Sequence, residues 1–293
     1  MASFSAAGFL LCAFAQPHAA VRGADVPDAV LRAVHPHSNT SYCEGLVFDD
    51  ERGILVESSG NFGTSSLSTI NLTTGAMLSR IALPDSTFGE GATLLHGGSV
   101  AVQLTYEART AYFYGIAGSK LQPSYTNKSF TTRTGQGWGL TSNRTHLIGS
   151  DGSAQLYVWD AATLQLVQTL PLWYYDASVA RPTPLPMVNE LEWLAPRRGR
   201  REGGGVPCVL ANLFYPEYYL VWSINLATGE GRVALNVTAA ATSAGADAAD
   251  YDHVFNGIAL DGRVPGNESL LLTGKFWAQL LVVDAAPLYA VWT

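Results

Sequence analysis

Five short motifs place proton-moving or hydrogen-bond-donating side chains at recurring positions. They are Cys43-Glu44-Gly45-Leu46, Gly89-Glu90-Gly91-Ala92, Gly137-Trp138-Gly139-Leu140, Asn189-Glu190-Leu191-Glu192 and Phe255-Asn256-Gly257-Ile258. A carboxyl can take a proton from one atom and return it to another. An indole N–H, an amide or an ammonium can donate to an oxygen that gains negative charge during a reaction. Such groups are costly in an apolar core unless they are paired or used, so their recurrence marks a candidate site. Taken at positions 44, 90, 138, 190 and 256, the motifs stand 46, 48, 52 and 66 residues apart. Lys275 adds an ammonium on an apolar run where a core would not place one. Metal chemistry leaves no comparable mark. There is no C-x-x-C or H-E-x-x-H, and His18, His35, His37, His96, His146 and His253 are scattered, so no metal or cofactor is expected.

The segments between the motifs repeat as well. Each motif is followed by a short apolar strand (GILVES, SVAVQL, THLIGS, PCVLAN, SLLLTG) and then by an expected hairpin: residues 67–83, 110–125, 156–172, 219–237 and 280–292. The turns N-L-T-T-G, N-L-A-T-G and D-A-A-T supply the Asx side chains and glycines that tight turns use. The wide last interval holds RRGRREGGGVP and AAATSAGADAADYD, read as surface insertions. Five units of four strands predict an all-β, five-bladed β-propeller with four-stranded antiparallel blades, each burying its faces on its neighbours. A two-sheet sandwich would not need one motif at the same place in every unit. In a propeller the motifs meet in a ring at one end of the central channel, bringing together Glu44, Glu90, Trp138, Asn189 with Glu190, and Asn256.

Composition agrees. Of 293 residues, 47% are hydrophobic, which excludes disorder as the main state, and only 14% are charged. A net charge of −7 without a Lys/Arg stripe excludes a nucleic-acid partner. Residues 6–15 form a short apolar run ending in Ala13-Phe14-Ala15, so residues 1–20 read as a signal peptide or leader and 35–293 as a single propeller domain. Beyond the leader, no apolar stretch is long enough to span a bilayer. Sequons at Asn39, Asn71, Asn127, Asn143, Asn236 and Asn267 point to the secretory pathway and an extracellular or vacuolar lumen. Without Cys12, which lies in the leader, Cys43 and Cys208 sit in apolar runs where buried free thiols are the expectation. A monomer is expected.

The motifs, in this order, resemble the plant and bacterial glutaminyl-peptide cyclotransferases, which are five-bladed propellers. The resemblance rests on Tyr42-Cys43-Glu44-Gly45-Leu46, Phe88-Gly89-Glu90-Gly91, Gln136-Gly137-Trp138-Gly139-Leu140-Thr141, Ser150-Asp151-Gly152-Ser153, Asn189-Glu190-Leu191-Glu192, Ala211-Asn212-Leu213-Phe214, Phe255-Asn256-Gly257-Ile258-Ala259 and Thr273-Gly274-Lys275-Phe276-Trp277. It spans residues 41 to 284 and implies an aminoacyltransferase that cyclises N-terminal Gln of peptides or proteins to pyroglutamate with loss of ammonia, using no metal. It implies Glu90 as the catalytic carboxyl, with Trp138, Asn189 and Lys275 as donor or positioning residues. Tyr42, Glu44, Phe88, Phe214 and Asn256 would bind the substrate. Two positions depart from the family pattern: Glu44 stands where the family has Gln, and Phe214 where it has Trp. The alternatives are a calcium-dependent propeller lactonase or esterase, for which six blades are expected, and a non-catalytic secreted propeller that binds peptide or glycan.

Overall fold

A computed structural model describes residues 26–196, 206–215, 219–246, 250 and 252–292. The leader at 1–20, Cys12 and parts of both expected insertions lie outside the described residues. Five four-stranded antiparallel sheets form the blades of a propeller. Blade 1 is β2–β5 (Cys43–Asp49, Ile54–Ser59, Ser66–Asn71, Met77–Ala82) and blade 2 is β6–β9 (Gly89–Leu95, Val100–Thr105, Thr110–Ala117, Lys120–Ser129). Blade 3 is β10–β13 (Leu140–Ser142, His146–Gly149, Gln155–Asp160, Leu166–Pro171). Blade 4 is β16–β19 (Val188–Leu194, Cys208–Leu213, Leu220–Asn225, Gly231–Asn236). Blade 5 takes β20–β22 (Phe255–Asp261, Ser269–Gly274, Gln279–Asp284) from the end of the chain and its outer strand β1 (Leu31–Pro36) from the beginning.

This last pairing corrects the sequence reading. Residues 280–292 do not form a hairpin: β22 is followed by a short 3-10 helix, Ala286–Ala290, and β1 runs antiparallel to β22 with Val34 opposite Leu281. The fifth blade is thus closed by strands from both ends of the chain, and the propeller begins at Leu31 rather than at residue 35. A ring whose last sheet lacked this strand would leave β22 as an open edge. Two further elements lie outside the repeat. The hairpin β14–β15 (Trp173–Asp176, Arg181–Pro184) connects blades 3 and 4 and packs Tyr174 edge-on against Trp222. Part of the second expected insertion is a helix, α1 (Thr238–Ser243), whose Ala241 is buried with Ala244 against blades 4 and 5.

Apolar side chains fill the spaces between blades rather than a single centre. Leu46, Phe48 and Leu55 meet Ala259, Leu271 and Leu280 between blades 1 and 5, while Val47, Val56 and Leu67 meet Ala101, Tyr114 and Ile116 between blades 1 and 2. Equivalent clusters lie between blades 2 and 3, 3 and 4, and 4 and 5. The alternation along each strand sends successive residues to opposite neighbours, which is why the strands read as nearly continuous apolar runs. Cys43 and Cys208 are both free thiols, buried in different clusters.

At the start of blades 1, 2 and 3 the innermost strand approaches the next so closely that only glycine fits there. A Cβ on Gly91 would lie 2.4 Å from the Leu140 nitrogen of blade 3, and one on Gly139 would lie 1.9 Å from the Asn189 carbonyl oxygen of blade 4. Because the obstacle is backbone, a Gly139→Ala variant must move a blade to fold. It is expected to lose about 3 kcal/mol of stability, measured by urea denaturation.

Candidate active site

The inner strands of blades 1, 2, 4 and 5 open with an irregular step. The register shifts between Cys43 and Gly45, Gly89 and Ala92, Val188 and Leu191, and Phe255 and Ile258. A bulge leaves residues without a ladder partner and re-aims their side chains, here towards the channel mouth. The same backbone bond fixes the equivalences. Gly60 N, Tyr106 N, Phe214 N and Lys275 N, each just past the second strand of its blade, donate to Tyr42 O, Phe88 O, Met187 O and Val254 O. Counting on two residues from each acceptor aligns Glu44, Glu90, Asn189 and Asn256. In blade 3 the bond differs, Ser150 N donating to Gly139 O, and Trp138 takes the place by preceding Gly139 as Glu44 and Glu90 precede Gly45 and Gly91. The fourth unit therefore aligns on Asn189, one residue before the position taken from sequence spacing. Glu190 occupies the place that Gly45, Gly91, Gly139 and Gly257 fill elsewhere.

The consequence for Glu190 is structural. Its side chain crosses the channel, where Oε1 accepts a hydrogen bond from Leu46 N of blade 1 (2.8 Å), while Oε2 is buried without a hydrogen-bond partner. Burial holds its carboxyl well above the usual range, despite the Leu46 N–H. Glu192 accepts from Leu260 N (3.0 Å), and burial pushes it up to about 8. Asn212 accepts from Glu190 N (2.9 Å) and donates to Phe255 O. These side chains supply partners for backbone groups on the inner strand edges, which face the channel and have no further strand to pair with.

At the mouth, Asn189, Asn256, Glu44 and Lys275 form one hydrogen-bonded chain. Asn189 Nδ2 donates to Asn256 Oδ1 (3.2 Å), and Asn256 Nδ2 donates to Glu44 Oε2 (2.6 Å). Lys275 Nζ donates to Glu44 Oε1 (2.8 Å). The same ammonium lies 4.3 Å from the Tyr42 ring centre and 4.9 Å from that of Phe214. Phe214 packs edge-on against Trp138, and Phe88 stands beside Tyr42 and Tyr106. The Trp138 indole N–H is already engaged, donating to Gln136 Oε1 (3.1 Å), and Gln136 Nε2 donates to the Tyr106 hydroxyl (2.9 Å). As an oxyanion donor Trp138 would first have to leave Gln136.

Glu90 differs from its neighbours. It is only 6% exposed, and among the described residues none hydrogen-bonds to its carboxyl. Burial first, then the negative charge of Glu44, holds it well above the usual carboxylate range, and Lys275 offsets only part of this. Burial also raises Glu44, but Lys275 and Asn256 both favour its charged form. Burial works against the Lys275 charge and Glu44 outweighs it, so the ammonium is retained. Of the two carboxyls, the donors favour the charged form of Glu44, and burial with the charge of Glu44 favours the acid form of Glu90. The mouth therefore holds a Glu44–Lys275 ion pair beside a Glu90 carboxyl of raised proton affinity.

Apart from Glu190, whose carboxyl is turned to Leu46 N, the structure brings the candidates named from the sequence together at this mouth. Sequence reasoning missed the parts played by Gln136, Tyr106 and Asn212. Tyr106 had a usable signal, because it follows the second strand of its unit as Phe214 and Lys275 follow theirs. Among the described residues, no three His, Cys, Asp or Glu side chains are grouped to hold a metal ion, and no helix is long and apolar enough to cross a membrane.

A sequence model of the glutamine cyclotransferase family matches residues 4–284. The chain belongs to this family. A glutaminyl-peptide cyclotransferase of Arabidopsis thaliana is 30% identical over 162 residues, covering 55% of this chain and 48% of the relative, so the match spans about half of that protein's length. The crystal structure of Myxococcus xanthus glutaminyl cyclase superposes with a TM-score of 0.68 at 23% identity, covering 88% of this chain and 97% of that one, which shows a shared fold.

The charge arrangement can be tested by Glu44→Gln. Removing the negative charge lowers the proton affinity of Glu90 directly, and it frees Lys275 to pair with Glu90, which lowers it again. The Glu90 carboxyl band, followed by infrared titration, is expected to shift its midpoint to lower pH in the variant.

Proposed function

We propose that the protein converts N-terminal glutaminyl residues of peptides or proteins to pyroglutamate with release of ammonia, using Glu90 as a proton shuttle and no catalytic metal. The observation that carries this reading is the buried, unpaired Glu90 carboxyl beside the Glu44–Lys275 ion pair. Cyclisation joins the α-amine nitrogen to the side-chain amide carbon and breaks the bond from that carbon to the amide nitrogen. The attacking nitrogen must lose a proton and the leaving nitrogen must gain one. A single carboxylate between them can do both. The free amine form is accessible because α-amines have pKa values of roughly 8. The high proton affinity of Glu90 favours its acid form, which can give its proton to the leaving amide nitrogen and take in return the one that the attacking nitrogen releases.

Lys275 supplies the complementary charge. Its Nζ uses one of three N–H donors on Glu44, leaving donors for the carbonyl oxygen as that oxygen becomes an oxyanion. The Tyr42 and Phe214 rings hold the ammonium in place and, with Phe88 and Trp138, keep water from the reacting atoms. Asn189 and Asn256 orient Glu44 through their hydrogen-bonded chain. The attacking amine and the amide it attacks belong to one residue, so the enzyme's main task is to fold the glutaminyl side chain back onto its own nitrogen. The calcium-dependent lactonase alternative needs six blades, and the fold has five. Passage through the secretory pathway belongs to the same proposal, supported by the apolar run at residues 6–15 and the exposed sequon residues Asn39, Asn127 and Asn267.

Ammonia release from a glutaminyl dipeptide tests the reading. Glu90→Gln, with an unchanged circular dichroism spectrum, is expected to lower kcat/KM by a factor of about 10² to 10⁴, and Lys275→Met by about 10². Wild-type turnover is expected to survive EDTA and a strong zinc chelator. Full activity in Glu90→Gln would remove the proton shuttle, and loss of turnover on chelation would remove the metal-free mechanism.

A further inference from the structure

A second buried charged cluster, unused by the reaction above, lies between blades 1 and 5 where the chain passes from β1 into β2. His37 follows β1 directly. Its Nε2 lies 3.0 Å from Glu57 Oε2 and its Nδ1 lies 2.7 Å from Trp277 O, and both ionisable side chains are 2% exposed. The partners fix where the protons are. Trp277 O is a carbonyl and can only accept. Thr273 Oγ1, 3.3 Å from Nδ1, donates its own proton to Gln279 O, so it too offers only a lone pair. Nδ1 must therefore carry hydrogen. Glu57 Oε1 accepts the Ser41 hydroxyl, which leaves one proton between Nε2 and Glu57 Oε2.

That proton belongs to the histidine. Burial works against a charged imidazole, but the negative charge of Glu57 and the hydrogen bonds to Glu57 and Trp277 outweigh it, and His37 is raised above its ordinary value. Burial works against a charged Glu57 too, and His37 with the Ser41 hydroxyl overcomes it, so Glu57 is lowered. Cys43 on β2 is kept a neutral thiol by burial and then by the charge of Glu57. The contribution of His37 is complete below its ordinary value of 6.5 and is lost as pH rises through the raised one. The contribution of Glu57 is complete above 4.5 and is lost as pH falls through the lowered one.

The pair joins two segments of the site. Trp277 O belongs to the turn that carries Lys275, and in the same turn Phe276 N donates to Ser41 O (2.8 Å) while Ala278 O accepts from His37 N (3.0 Å). Ser41 precedes Tyr42, whose nitrogen is held by Ser59 Oγ (3.1 Å). We propose that His37 is a positioning residue, a buried imidazolium whose two N–H groups clamp the Lys275 turn against the segment bearing Tyr42 and Glu44. It touches no reacting atom, and its effect on turnover rests on the role given to Lys275 above.

Two kinds of measurement test this on the full chain. Without reference to activity, the ¹⁵N spectrum of the His37 ring is expected to show both nitrogens protonated at about pH 7.5, where an ordinary histidine is mostly neutral. The Phe276 amide is expected to exchange at least about tenfold faster in His37→Gln or Glu57→Gln than in the wild type. A neutral ring in the wild type, or unchanged Phe276 exchange in a folded variant, overturns the clamp. With activity, His37→Gln is expected to lower kcat by about 10- to 100-fold with KM changed less than about twofold. In a Lys275→Met background the same substitution is expected to add almost nothing. Equal losses in both backgrounds would mean a general structural defect and would overturn positioning through Lys275. Should His37→Gln fail to fold, Glu57→Gln and the wild-type spectrum still decide. Absence of ammonia release from the wild type would sink the cyclase reading alone, leaving the ring spectrum and amide exchange to judge the clamp.

Discussion

Five inner strands crowd around a narrow channel, and the rest of the structure follows from that crowding. Each strand presents one backbone edge to the channel with no further strand to pair with it. Where neighbouring blades come closest, backbone meets backbone, and glycine alone leaves the space for it at Gly91 and Gly139. Blade 4 departs from this rule with Glu190, and the channel absorbs the departure by turning the side chain into a bond to Leu46 N. Polar residues in the channel thus have two uses: they satisfy strand edges lower down, and they become available for chemistry at the mouth.

The division between these uses is electrostatic. Glu190 and Glu192 accept from backbone N–H groups of other blades and join those blades together. Glu44 takes donors from Lys275 and Asn256 and carries the negative charge at the mouth. Glu90 receives none of these donors, and burial raises its proton affinity beside the ion pair. A carboxyl denied partners in this way is poor at holding a fold together and well placed to exchange a proton with a bound amine. Glu44, where the family resemblance expects Gln, adds to this effect by setting a negative charge close by.

Ring closure adds the remaining constraint. Blade 5 is assembled from both ends of the chain, so the turn that carries Lys275 and the segment that carries Tyr42 meet only when the ring is complete. At that junction lie the outer-strand pairing of β1 with β22 and the buried His37–Glu57 pair. Closure of the propeller and assembly of the mouth are therefore one event.

By itself, the sequence determined the number of units and the motif that opens each one. These features repeat locally, and a local period can be read along a chain without knowing where it goes in space. The hairpins of the first four units are local in the same sense, and they appear where their turn residues place them. Tertiary structure alone decided the rest. The outer strand of blade 5 comes from the opposite end of the chain, so a local reading wrongly sought it in residues 280–292. The place of Asn189 rather than Glu190 in the ring depends on a bulge, which shifts register without marking the sequence. Glu44 and Lys275 stand 231 residues apart along the chain and 2.8 Å apart in space. Which of two carboxyls keeps its proton, and whether an indole N–H is free or taken, depend on neighbours that only ring closure brings into contact.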